Sequence, residues 1–366
     1  MKPFFLVGAV VLLLAVGVVV TTDRDVPQAT KHPMTLGVSP GATILDLDDD
    51  ALEADLSRMA NLGINELRLD FDWSRIERTA GEYDWSNTDR IVEAASSHDI
   101  TVHALLAYTP RWARPADTDD KHPPTDPEHF ASFAAASVAR YSERGLSSWE
   151  IWNEPNVASF WSAPSGPDPY AFAALVSVAS DAIRSADPNA WVISGGLAPA
   201  KNEPGDEIAP ETFLEDFFAS VEPGSIDAVG IHPYSYPADP DDRSRSWNLF
   251  GRLPAIQDLA RESTGSAMPL WITEYGAPTG DASRAVSDQS QARMISGALG
   301  CVNQIDWIER LFLYNLRDRV EGDAGDIEDN FGLFTADGSP KAAATAVQQF
   351  QSQEVGELIS SPCDGW

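Results

Sequence analysis

The chain has 366 residues, 43% of them hydrophobic, and a net charge of −31. That apolar content supports a sizeable core and excludes wholesale disorder. The charge repels nucleic-acid phosphates, so it argues against a DNA or RNA partner, and against a polyanionic substrate unless a local basic patch offsets it. Such a Lys-poor, acidic surface suits either a salty habitat or the solubility of a secreted protein.

Residues 1–22 open with Lys2 and an unbroken apolar run from Phe4 to Val20. The run reads as a secretory signal peptide or a single N-terminal membrane anchor. No A-x-A-like site follows it, which leans the reading toward an anchor. Either way the rest of the chain is expected outside the cytoplasm. Residues 23–33 read as a tether, 34–352 as one catalytic domain and 353–366 as a C-terminal tail. The two cysteines, Cys301 and Cys363, are disulfide candidates in an exported protein. The alternative is a pair of buried free thiols.

From Met34 onward, eight strand-like runs follow in order: MTLGVSP, NELRLDFDW, TVHALLAYTP, SWEIWNEP, WVISGGLAP, AVGIHPYSYP, PLWITEYGAP and RLFLYNLRD. Several end in Pro, Gly or Asp, as strands running out into loops do. Helical patterns fall between them. DDDALEADLSRMANLG places Leu52, Leu56, Met59 and Leu62 on one face. DPEHFASFAAASVARYSERG and DPYAFAALVSVASDAIRSADP open on Asp-Pro, and VSDQSQARMISGALGCVNQID precedes the eighth strand. GSPKAAATAVQQF follows it. Alternating strands and helices imply a parallel sheet. The first strand lacks the Gly-rich phosphate loop of an open doubly wound sheet, so a single (β/α)8 TIM barrel is the expectation, with fold class α/β.

In such barrels chemistry sits at the carboxyl ends of the strands. Strand two carries Arg68, strand three runs into Trp112, and strand four ends at Asn153 and Glu154. Strand six ends at His232 and Tyr234, strand seven at Glu274, and strand eight carries Tyr314. Two glutamates across a barrel mouth, with aromatics around them, suggest glycoside hydrolysis. One must be protonated to release the leaving alcohol and the other ionised to attack the anomeric carbon.

With these pieces in order, the chain resembles the clan A glycoside hydrolases, closest to family 39 and family 5-like members. YTPRWA, WEIWNEPNVASFW, GIHPYSYP, WITEYGAP and FGLFTADGSPKAAATAV carry the resemblance over nearly all of the chain after the tether. The resemblance implies Glu154 as general acid/base, Glu274 as nucleophile and Asn153 as a contact to the sugar 2-hydroxyl. It implies that Arg68 and Tyr234 hold Glu274 ionised, and that His232 lines the site near Glu154. Trp112, Phe160 and Trp161 would offer stacking surfaces. Many members place a tryptophan at the end of strand eight; LFLYNLRD has none, and Tyr314 is the expected substitute platform.

Less specific readings stand beside these. Arg68 could pair inside the barrel with Asp70, His103 reads as interior packing, and Glu77 and Asp84 read as loop anchors. The six histidines show no H-E-x-x-H spacing, and DLDDD lacks the glycine and terminal glutamate of a calcium loop, so neither metal nor cofactor is expected. The expected activity is retaining hydrolysis of a neutral oligo- or polysaccharide. A non-catalytic carbohydrate-binding barrel, or a transglycosylase using the same residues, is the alternative.

Overall fold

Each of the eight apolar runs forms a strand in the computed structural model, which describes residues 34–352 and Cys363. The expected signal or anchor and tether lie outside the described residues, as does the C-terminal tail apart from Cys363. The strands are β1 (Thr35–Val38), β2 (Glu66–Asp72), β3 (Thr101–Ala107), β4 (Ser148–Asn153), β5 (Trp191–Gly196), β6 (Val229–Ile231), β7 (Leu270–Tyr275) and β8 (Ile308–Leu313).

All ladder pairs are parallel, in the order β5-β4-β3-β2-β1-β8-β7-β6. Parallel bridges Ile193–Ala228 and Leu197–Ile231 join β5 to the β6 region and close the ring. The result is a single (β/α)8 barrel. Strands in such a fold are covered on both faces, and every residue of β2, β4 and β7 is buried.

Helices α1 (Asp49–Asn61), α2 (Trp73–Ile76), α3 (Ser86–Ser97), α4 (Pro127–Tyr141), α5 (Pro169–Ala186), α6 (Pro210–Phe218), α7 (Leu253–Thr264) and α8 (Asp288–Val302) fill the crossovers, and α9 (Ala342–Ser352) follows β8. Asp48, Asp126, Asp168 and Ser287 cap α1, α4, α5 and α8 by accepting from first-turn N–H groups. Proline stands in the first turn of α4 to α7, where its missing N–H costs nothing. Helices α2, α3, α6 and α7 occupy intervals for which the sequence reading named no helix.

Cys301, in the last turn of α8, is disulfide-bonded to Cys363 across a separation of 62 residues. Among the described residues no helix is long and apolar enough to cross a membrane.

Candidate active site

The site is built around one guanidinium. Arg68 points inward from β2, is 1% exposed, and uses every N–H it has. Its Nε and Nη2 donate to Glu150 at 2.6 and 3.1 Å, and Nη2 also donates to Asn153 Oδ1 at 2.9 Å. Its Nη1 donates to Glu274 Oε1 at 2.6 Å and to Ser39 Oγ at 3.2 Å. Asp70, the partner weighed in the sequence reading, takes none of these bonds.

Strand β4 would normally alternate faces with every residue. Here Glu150 and Asn153, three apart, both reach Arg68. The alternation is broken at Trp152, which takes φ 69°, and Glu154 follows at φ 43°. Left-handed backbone at non-glycine residues stores about 1–3 kcal/mol each and gathers at functional sites. The kink turns the Trp152 ring outward onto Trp161 and Phe130 while Asn153 and Glu154 face the mouth. Glu154 N donates to Gly196 O at 3.0 Å, which anchors the kinked segment to β5.

Glu274, from β7, has both oxygens engaged. Oε1 takes Arg68, and Oε2 takes the Tyr234 hydroxyl at 2.8 Å. Burial first, and then the Glu274 charge, push the Tyr234 phenol well above its ordinary value, so it remains a donor. A cation and a hydroxyl donor on one carboxylate favour its charged form.

Glu154 meets His232 instead: Nδ1 lies 2.8 Å from Glu154 Oε1 and 3.6 Å from Glu274 Oε2. One oxygen of each glutamate and a ring nitrogen of His232 all lie within 4.8 Å of one another. His232 Nε2 is 3.0 Å from Thr273 Oγ1, which itself donates to Glu150 Oε1 at 3.1 Å. Burial alone would raise the Glu150 pKa. The Arg68 charge, with hydrogen bonds from His103 and Arg68, outweighs burial and holds the carboxyl well below the usual range.

Glu150 is therefore an acceptor only, and the single hydroxyl proton of Thr273 belongs to it. Thr273 must then accept from His232, which fixes the imidazole proton on Nε2. That leaves Nδ1 facing Glu154 Oε1 at 2.8 Å. Gly196 completes the cluster. Its N–H donates to Glu150 at 2.9 Å, and a Cβ there would lie 2.2 Å from His232 Nε2 and 2.5 Å from Thr273 Oγ1.

The remaining sequence-derived residues divide. Tyr314 is half-buried at the end of β8, edge-on to Phe331 at 5.1 Å and to Tyr234 at 6.4 Å. Trp161 is corrected: it is 1% exposed, packed edge-on against Trp152 and Phe172, and offers no face to a sugar. Trp112 donates its N–H to Glu77 O at 2.7 Å and packs edge-on against Trp73 and His129, so it braces loops. His103 is interior, and it also hydrogen-bonds Glu150 at 3.2 Å and Ser148 at 2.9 Å.

Three residues of the network, Ser39, Glu150 and Thr273, went unread in the sequence. Glu150 had a signal, a charge in the middle of a fully buried strand. Glu154, His232 and Glu274 are the one cluster among the described residues with ligand atoms close enough for a metal ion. A cation there would face the Arg68 guanidinium already bound to Glu274, so the donor set fits a charge-paired carboxylate better than a metal centre.

The family pattern described as Cellulase (glycosyl hydrolase family 5) matches residues 46–308. The chain belongs to glycosyl hydrolase family 5. This family 5 chain also resembles family 39, as its motifs imply. A family 39 glycoside hydrolase from the gut symbiont Bacteroides cellulosilyticus WH2 superposes with a TM-score of 0.70 at 22% identity, over 87% of this chain and 64% of that one. A GH5_18 enzyme from Streptomyces cattleya, in complex with Manb1-4GlcNAc, gives 0.68 at 18% identity, over 90% and 83%. A beta-xylosidase of Geobacillus stearothermophilus is 25% identical over 218 residues, which span 53% of this chain and 41% of the relative. At these identities the solved structures speak for the fold, and both clan A families share it.

Proposed function

We propose that the protein is a retaining glycoside hydrolase that cleaves an O-glycosidic bond in a neutral oligo- or polysaccharide by double displacement. The observation that carries this reading is the approach of Glu154 and Glu274, with oxygens within 4.8 Å. Retaining enzymes hold their two carboxyl groups about 5–5.5 Å apart, and inverting ones about 6.5–9.5 Å, to admit a water.

Glu274, kept charged by Arg68 and Tyr234, attacks the anomeric carbon. The bond to the leaving oxygen breaks, and that oxygen takes the proton held at Glu154. Asn153 Oδ1 is committed to Arg68, so its amide Nδ2 is left to donate to the sugar beside the reacting carbon. In the second half Glu154 accepts a proton from water, whose oxygen displaces Glu274 from the sugar. Tyr314 serves as the platform under the sugar. No step draws on a cofactor. The Cys301–Cys363 disulfide supports an oxidising, extracytoplasmic location.

Proton NMR of the first product formed from an aryl glycoside tests the stereochemistry. The expected product keeps the anomeric configuration of the substrate. An inverted first product contradicts the double displacement.

A further inference from the structure

We propose that an arginine-lined cavity, separate from the cleft that Glu154 lines, is an anion site for one carboxylate or sulfate ester group carried as a branch on an otherwise neutral glycan. The assignment of the anion to a glycan branch rests on the hydrolase reading; the anion site itself does not.

A net charge of −31 argues against a polyanionic substrate unless a local basic patch offsets it. The structure holds such a patch. A cavity of about 560 Å³ is lined by Ser74, Arg78, Arg111, Arg114, Asp119 and Asp120. Ser74 and Arg78 follow β2 and the other four follow β3, which places the cavity at the carboxyl ends of the strands. It shares no lining residue with the larger cleft that Glu154 lines.

With 56 acidic residues to 25 basic ones, an arginine in this chain has carboxylates to spare. Nearby, Arg75 pairs with Asp46 and Lys121 with Asp120, whereas Arg78, Arg111 and Arg114 form no ion pair among the described residues. Arg114 is fixed without being neutralised. Its Nε donates to Thr109 O at 3.0 Å and its Nη1 to Thr118 O, both uncharged carbonyls. Arg78 and Arg111 are exposed, and their side chains donate to no described residue.

The carboxylates around them are committed elsewhere. Asp119 takes the Ser162 hydroxyl at 2.5 Å and the Lys121 N–H at 3.1 Å, and Asp120 takes the Lys121 ammonium at 3.0 Å. Asp84, which feels the Arg78 charge, is held by the Ser86 hydroxyl at 2.6 Å. With Lys121 on Asp120, the wall keeps a positive excess. Exposed charges farther than about 8–10 Å are largely screened at physiological salt, so this local excess decides what the cavity attracts.

Guanidinium forks match the paired oxygens of a carboxylate or a sulfate ester. The volume falls in the range of about 300–1,000 Å³ of small-ligand sites, which is room for an acidic sugar rather than for a bare ion.

The test titrates the full chain by calorimetry, in low-salt buffer, with methyl glucuronide, methyl glucoside and sodium sulfate. The glucuronide should bind at least about 10-fold more tightly than the glucoside. Added salt should weaken it, and sulfate should compete with it. The Arg78→Gln, Arg111→Gln double variant, changed only at exposed side chains, should bind the glucuronide at least about 10-fold more weakly. Equal binding of glucuronide and glucoside, or binding that the double variant leaves unchanged, overturns the site. Sulfate binding with none of the glucuronide overturns it too, by marking a place for free ions.

Xylo-, manno- and gluco-oligosaccharides, each with and without one glucuronate branch, decide where the anion comes from. Wild type should cleave a branched chain at least about 10-fold more efficiently than its unbranched counterpart, and the double variant should treat the two alike. No advantage in wild type, or one kept by the double variant, overturns the glycan assignment. If no chain is cleaved, the hydrolase reading fails by itself. The same chains are then titrated: tighter binding of a branched chain supports the site, and equal binding overturns it.

Discussion

Thr273 stands between His232 and Glu150, accepting from the first at 3.0 Å and donating to the second at 3.1 Å. Through this one hydroxyl, a buried carboxylate at the barrel centre sets the tautomer of the histidine that touches Glu154. Thr273→Val removes the acceptor, so the imidazole proton is free to move to Nδ1, where it opposes a proton on Glu154. Turnover of glycosides with poor leaving groups should fall about 10- to 100-fold, within the usual reach of general-acid catalysis. Glycosyl fluorides, which need no acid, should change little, and Thr273→Ser should restore the loss. An equal loss on both substrate types would mean that Thr273 only packs the barrel.

Glu150 accepts five hydrogen bonds, from Arg68 twice, His103, Gly196 and Thr273. Removing one charge of a buried pair leaves the other unmatched and costs about 3–5 kcal/mol. Glu150→Gln should lose stability of that order in urea unfolding, and activity along with it, because Arg68 bonds both Glu150 and Glu274. Native-like stability would show that the Arg68 charge is satisfied by Glu274 alone.

Asp70 is 5% exposed, and its carboxyl receives no hydrogen bond from the described residues. Burial, against the pull of Arg68 and helped by Asp72, Glu274 and Glu150, pushes its pKa up to about 7. The folded state therefore holds a proton that the unfolded chain releases near pH 4. Stability attributable to this group falls as pH rises from about 4 to about 7 and is flat beyond, by a few kcal/mol in all. Asp70→Asn, neutral throughout, should gain on wild type between pH 5 and pH 8. A stability difference that does not change over that interval would contradict the buried, protonated carboxyl.

The Cys301–Cys363 disulfide closes a loop across 62 residues. Chain-entropy arithmetic gives up to about 4 kcal/mol for a loop of that size. Cys301 leads from the end of α8 toward the start of β8, the face opposite the catalytic one. The Cys301→Ser, Cys363→Ser double variant should melt earlier yet keep its kcat/KM. A large fall in kcat/KM at a temperature where it remains folded would tie the bridge to the site.

The strands were legible because most pair an apolar run with a terminal Pro, Gly or Asp, and the barrel followed from their number and alternation. Helix α7 carries a readable signal too, with Leu253, Ile256, Gln257 and Ala260 buried at helical spacing; the glutamine in that face hides it from a hydrophobic count. Helix α3 buries only Thr88, Ile91, Val92 and Ala95, a thin stripe that Trp85 completes by stacking on Phe133 at 6.1 Å.

The residues at strand ends were readable because the barrel predicts where they gather. Which residues inside a fully buried strand face the axis is not readable when both faces are apolar. Thr273 was missed on that account; Glu150 carried a charge that could have been read, and Ser39 stands just past the end of β1. Trp161 was misplaced for a related reason: the left-handed turn at Trp152 redirects the chain as it leaves β4, and no residue pattern announces it.

Trapping the covalent intermediate tests the central claim most directly. The full chain is incubated with a panel of 2-deoxy-2-fluoroglycosyl fluorides, and its peptides are weighed. The account predicts one sugar adduct on the peptide containing Glu274, and none in Glu274→Ala. An adduct on any other residue, or turnover of the matching glycosides with no adduct and an inverted product, would contradict it.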